Sequence, residues 1–249
     1  MRNNVKKYKE ILKETLDRIH ETQFEKIDEV AKMMVKAIKN KKSIFAHGPS
    51  HAGMIVEEMV YRAGGLALIN PIHASALLPN ARPMTGTTHM ERLPGYASVL
   101  IKHIFDIKEG DLLLINSVSG RIPIVIEMAI EARKMGVEVA CIINKDYANN
   151  VTSLDSSGKM LHEVCDVVID NCGEYGDAAI GIDGMPQKVA PTSTVAGCFI
   201  VNSLVIRVCE LLLTEGIEPP VFRSGNIDGA NEFNKDIIEK NKDQIHYMY

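Results

Sequence analysis

The sequence predicts an α/β fold: a three-layer α-β-α sandwich on a central parallel sheet, doubly wound, with an N-terminal helical arm. Two observations carry this. Short aliphatic runs recur that suit strands buried on both faces, and a polar turn and a helical pattern ending at glycine separate them. The expected division is an arm over residues 1–40, one domain over 41–216, and a tail over 217–249 that packs on the domain or on a neighbouring subunit.

Apolar residues from Val5 to Asn40 recur at helical spacing, Ile11, Leu12, Leu16 and Ile19, then Phe24, Ile27, Val30, Met34 and Ile38. The pattern predicts two helices, or one broken near His20–Gln23, whose apolar stripe packs on the domain or a subunit interface. "SIFAH" (Ser43–His47) is the first strand. It ends in "GPSHAG", and "MIVEEMVYRAGG" then reads as a helix stopped by Gly64 and Gly65. "LALIN" (Leu66–Asn70) is the second strand. Residues 71–98 contain four prolines and no clear period, so a long functional loop is expected there.

The rhythm then returns. "DLLLINS" is a strand, "VSG" a turn, "IPIVIEMAIEARKMG" a helix and "VEVACIIN" the next strand. "CDVVID" (Cys165–Asp170) supplies another short strand. After a Gly-rich loop, "PTSTVAGCFIVNSLVIRVCELLLTEG" is a mostly buried helix that Thr192, Ser193 or Thr194 can cap. "PPVFRSGNIDGANEFN" reads as an ordered loop and "KDIIEKNKDQIHYMY" as a final short helix or arm.

The chain has 249 residues, 46% hydrophobic and 24% charged, with a formal charge of −4 and a pI near 6.1. That size buries a substantial core, and that charge argues against nucleic acid as a partner. Five cysteines without a C-x-x-C pair suit a reducing cytoplasm. The charged N-terminus lacks the apolar core of a signal peptide. Asn202, Ser203, Arg207 and Glu210 interrupt the best membrane candidate, Val195–Leu213, which reads as a buried helix.

Hydroxyl-bearing turns follow the first and third strands, at Ser50 and at Ser117 and Ser119. In a parallel sheet both face one crevice. Helix-start N–H groups, hydroxyls and small glycines there can hold a phosphate without net basic charge, although serine and threonine are also ordinary helix caps.

"HGPSHAG", "LLLINSVSG" with "EMAIEARKMGVEVACIIN", "CDVVID" and "PTSTVAG" together resemble the sugar isomerase (SIS) domain family over Lys41–Gly216, nearest the stand-alone bacterial members grouped with phosphoheptose isomerase. The resemblance implies a flavodoxin-like sheet and a sugar phosphate as ligand. Ser50, His51, Ser117 and Ser119 would hold its phosphate, with the Gly120 N–H assisting. Where family members carry a hydroxyl or amide beyond this glycine, the chain has Arg121 and Ile122; Arg121 either contacts phosphate or points to solvent.

Aldose/ketose interconversion needs a base at carbon and a second group at oxygen. Glu57 and Glu58 lie where phosphoheptose isomerase carries a catalytic glutamate pair. The spacing is two residues shorter, so ungapped alignment puts Val60 at the key position. His73 in "NPIHAS" occupies the glutamate position of an "H-P-x-E-A" loop, and Asn70 the histidine position. Exposed charge and a solvated loop histidine are the structural alternatives.

His89 and Glu91 fall on the long loop, a candidate lid. Asp177, Asn226, Asp228, Thr192, Ser193 and Thr194 are candidates for sugar hydroxyls; plain turn chemistry is the alternative for the first three and helix capping for the last three. His73, His89 and His103 match no known metal cage, and "HEVC" (His162–Cys165) lacks the second histidine of a zinc motif. No metal or cofactor is therefore expected. The expected function is phosphosugar binding with aldose/ketose isomerisation; the alternatives are a non-catalytic phosphosugar sensor and an amino-sugar phosphate lyase or etherase. The family also implies a homodimer or homotetramer, and no membrane partner is expected.

Overall fold

In the computed structural model, which describes residues 2–248, five strands form one parallel sheet in the order β2-β1-β3-β4-β5. They are β1 (Ile44–His47), β2 (Ile69–Pro71), β3 (Leu112–Asn116), β4 (Glu138–Ile143) and β5 (Val167–Asp170). This is the flavodoxin-like order, whose direction of winding reverses between β1 and β3. All five residues of β3 are buried. Leu112 and Leu114 pack with Ala140 and Ile142 on one face, and Leu113 and Ile115 pack with Val139 and Cys141 on the other. Burial on both sides explains why these strands read as unbroken aliphatic runs.

One face is covered by α1 (Arg2–Lys39), α2 (Met54–Met59) and α7 (Ser193–Thr214). The arm is one continuous helix, without the break expected near His20–Gln23. No glycine or proline interrupts it, and the polar gap in its stripe has a partner, because Gln23 Oε1 accepts the Asp170 N–H at the end of β5 (3.0 Å). Ile19, Ile27, Val30 and Met34 are buried. By length and hydropathy α7 resembles a membrane span, yet its Ile200, Leu204 and Val208 belong to this core. Met1 and Tyr249, at the ends of the predicted arm and tail, lie outside the described residues.

The other face is covered by α5 (Pro123–Lys134) and by the β2–β3 connection. That connection contains α3 (Gly86–Met90), α4 (Tyr96–Val99) and a π turn over Leu100–Ile104. Ile72, Leu77, Ala97 and Ile101 from it are buried. The aperiodic segment is therefore partly a core layer, built from helical pieces too short to show a period.

Two elements are shorter than the sequence predicts. The helix after β1 ends at Met59, before the glycines, and the second strand starts at Ile69. The cause is long-range: Gly64 N–H donates to Phe222 O, Phe222 N–H to Gly65 O, and Ala67 N–H to Pro220 O. Backbone groups committed to the tail cannot continue a helix or join β1. The Gly-rich stretch holds an unanticipated antiparallel pair, β6 (Ala178–Ile180) and β7 (Val189–Pro191). After α6 (Lys145–Asn149) and α7, the tail forms α8 (Ala230–Lys240). It anchors through Asn70, whose Nδ2 donates to Gln244 O and whose Oδ1 accepts His246 N–H.

Candidate functional site at the carboxyl edge of the sheet

Residues 44–47 of β1 pair in parallel with residues 112–115 of β3, so the chain leaves both strands at the same edge. The first exit, Gly48–Gly53, is a tight turn in which a Cβ on Gly48 would lie 2.4 Å from Ala52 O. Only glycine fits there. Ser50 takes a left-handed conformation (φ 53°) and is partly exposed. The second exit is pinned from behind: Ser117 N–H donates to Ile142 O, Asn144 N–H to Val118 O, and Leu161 N–H to Gly120 O. Gly120 (φ 62°) packs close to Leu161. Asn116 Nδ2 donates to Ala52 O (2.9 Å), tying the two exits together.

The second exit leads into α5, whose first residue is Pro123 and whose start no side chain among the described residues caps. Ser117 is buried and Ser119 partly exposed beside it. His51 is exposed on the first turn. Arg121 is half-buried and lines a separate cleft of about 520 Å³ with Asn149–Thr152. Its Nε is buried without a hydrogen-bond partner among the described residues.

Glu57 and His73 come together across the first crossover, with Glu57 Oε1 3.2 Å from His73 Nε2. That is an ion-pair separation without hydrogen-bond alignment. Glu58, one residue on, is tied elsewhere: it pairs with Arg62 and accepts from Asn202 Nδ2 (3.0 Å). The two glutamates thus separate into one facing the histidine and one bound to α7.

The sequence motifs assign no role to His47. It closes β1, is 1% exposed, and its Nδ1 lies 3.1 Å from Ile72 O. A carbonyl only accepts, so Nδ1 carries the proton. Nε2 then offers a buried lone pair with no partner among the described residues. Burial pushes its pKa down to about 4; the Ile72 hydrogen bond opposes this and the nearby His73 adds to it. The available signal was a polar side chain ending an aliphatic strand.

Other candidates are placed differently. Glu91 joins the edge, its carbonyl accepting the Ile124 N–H in the first turn of α5; burial raises its carboxyl pKa while Arg92 opposes the rise. His89 is exposed on α3. Asp177 is committed to α7, accepting from Thr192 N–H (3.0 Å), Ser193 N–H (2.8 Å) and Ser193 Oγ (2.7 Å). The predicted self-capping of α7 by Thr192, Ser193 or Thr194 is thereby corrected, because a distant carboxylate does it. Asn226 and Asp228 sit exposed on the tail loop, and no hydrogen bond joins them to either serine turn among the described residues.

The SIS-domain sequence profile matches residues 7–144, more than half of the chain. A UPF0309 protein of Shouchella clausii is 48% identical over 96% of this chain and 95% of its own. The chain belongs to the SIS-domain family. Another UPF0309 protein, from Oceanobacillus iheyensis, is 46% identical over 98% of this SIS protein and 99% of its own length. Among solved structures, a phosphoheptose isomerase of Francisella tularensis superimposes with a TM-score of 0.57 at 14% identity, covering 84% of this chain and 97% of its own. One from Neisseria gonorrhoeae gives 0.54 at 17%, covering 86% and 98%. These likenesses show the isomerase-like fold.

Proposed function

We propose that the crevice at the carboxyl edge of β1 and β3 binds a phosphosugar and that the protein interconverts its aldose and ketose forms. The observation that carries this reading is the junction of the two serine turns, Asn116 Nδ2 to Ala52 O. It holds the Ser50 turn against Ser117, Ser119 and the start of α5, where Glu91 O takes the Ile124 N–H and the partial positive charge of the helix suits a phosphate. The phosphoheptose isomerase fold and the SIS profile support the same ligand class.

With phosphate anchored there, the Glu57–His73 pair supplies the two groups that the reaction needs. The Glu57 carboxylate takes the proton from the carbon next to the carbonyl and returns it to the adjacent carbon. His73 moves the proton between the two oxygens of the enediol. The test is incubation with aldose and ketose phosphates in deuterated water. We expect deuterium at C1 or C2, lost by at least about 100-fold in Glu57→Gln, as removal of a general base does. Absence of exchange across hexose, heptose and amino-sugar phosphates overturns the isomerase.

One observation favours binding without turnover. Asn70, at the position where the family's loop carries histidine, is buried and hydrogen-bonded to Ile44, Gln244 and His246, so it is not free for proton transfer. Thermal stabilisation by a phosphosugar without exchange identifies that sensor. We also propose a homo-oligomer, because Val195, Ile206 and Leu213 of α7 are 40–62% exposed, an apolar stripe suited to a second copy. Light scattering reads the mass, and a monomer overturns it.

A further inference from the structure

A cavity of about 530 Å³ lies away from the serine turns, between the Tyr61–Ala63 turn, residues 222–225 and one face of α8. In a chain of net charge −4, its wall collects Arg62, Arg223 and Lys235 against one acid, Glu239. Glu239 is engaged with Lys242, and Arg62 with Glu58. Arg223 and Lys235 have no ion-pair partner among the described residues.

Arg223 is also held in place. Its backbone N–H donates to Asn234 Oδ1 and its carbonyl accepts from Asn234 Nδ2, both at 2.9 Å. Its guanidinium lies 3.5 Å over the Phe233 ring. Stacking fixes the guanidinium plane and leaves the edge N–H groups available to an anion. Tyr61 stands at the rim, 61% exposed, in a left-handed conformation (φ 44°) that a bulky residue rarely adopts. Such outliers persist where surrounding contacts hold them. Here those contacts are the edge packing of Tyr61 on Phe222 and Tyr247.

We propose that this cavity is a second binding site that takes a small multiply charged anion, bearing phosphate or carboxylate groups, on Arg223 and Lys235. A concave wall concentrates the field of the two cations, and charge-assisted hydrogen bonds to a planar guanidinium give the site its selectivity.

Titration calorimetry of the full chain with inorganic pyrophosphate, and separately with citrate, at low ionic strength tests it, the two arms distinguishing phosphate from carboxylate ligands. We expect at least one of the two to bind, with affinity falling as salt is added. Lys235→Glu and Arg223→Gln should each weaken it at least about tenfold, the loss expected for one hydrogen bond to a charged group. Lys235 is exposed, so its replacement leaves the fold intact, checked by an unchanged thermal midpoint. No binding of either anion overturns the site. So does binding that survives both substitutions, or heat that disappears in Ser117→Ala and not in Lys235→Glu, which assigns the anion to the sheet edge.

Discussion

At the start of α7 the Asp177 carboxylate accepts two backbone N–H groups and the Ser193 hydroxyl; at the start of α5 no side chain among the described residues does the same, and the Ile124 N–H goes to the backbone carbonyl of Glu91. Both entrances are rich in serine and threonine and look alike along the sequence. A helix start filled by the chain's own carboxylate already has the negative charge that its dipole favours. One without a carboxylate, flanked by the Ser50 turn, leaves that preference to a ligand, even though Glu91 O takes its Ile124 N–H. The same residue types therefore close one helix and leave the other open, and the difference lies in where a carboxylate 15 residues away folds back.

The largest expected effect breaks the open side of this contrast. Ser117→Ala combined with Ser119→Ala removes two hydroxyls from a dianionic ligand, each worth about 1.5–3 kcal/mol, so phosphosugar affinity should fall at least about 100-fold. Calorimetric titration reads it. Stability in the absence of ligand should change by less than about 1 kcal/mol, since neither hydroxyl ties secondary elements together. Unchanged affinity would remove the α5 entrance from the site.

The open edge should also differ from the closed one in its response to pH. His47 has a folded pKa of about 4 against an ordinary value of 6.5. The unfolded chain therefore binds the extra proton between those values, and stability rises with pH across that window. The contribution is complete above about pH 6.5 and is lost as pH falls towards 4, on the order of 3 kcal/mol in all. Urea unfolding from pH 4.5 to 7.5 should show that slope, and His47→Gln should flatten it. An equal slope in both proteins would place the titration elsewhere.

How much of this was readable in the sequence depends on the range of the interactions. The strands, their order of appearance and the serine turns are local patterns, and each stands within a few residues of its predicted place. The polar gap at His20–Gln23 suggested a break because its partner, Asp170, lies 147 residues away. The shortened helix after Met59 depends on Phe222 in the same way. In the site, the Glu57–His73 meeting follows from the β1-α2-β2 crossover and was within reach. Glu58 looked equivalent to Glu57 because adjacency says nothing of Arg62 and Asn202. His47 went unassigned because its burial and lone pair exist only once β2 supplies the Ile72 carbonyl.

The smallest effect tests the closed entrance. Asp177→Ala removes a cap that serves two N–H groups and a hydroxyl, and loss of an N-cap costs about 0.5–2 kcal/mol. Asp177 also has a left-handed backbone (φ 69°), which aspartate tolerates better than alanine, so the loss should reach about 2 kcal/mol in urea unfolding. Asp177→Asn keeps the tolerance and an accepting oxygen, and should recover roughly half. Neither change should alter phosphosugar affinity, because the hydrogen bonds of the Asp177 carboxylate end on Thr192 and Ser193. If Asp177→Asn weakens the ligand tenfold while stability holds, then Asp177 contacts the sugar, and the two entrances belong to one site instead of two opposed ones.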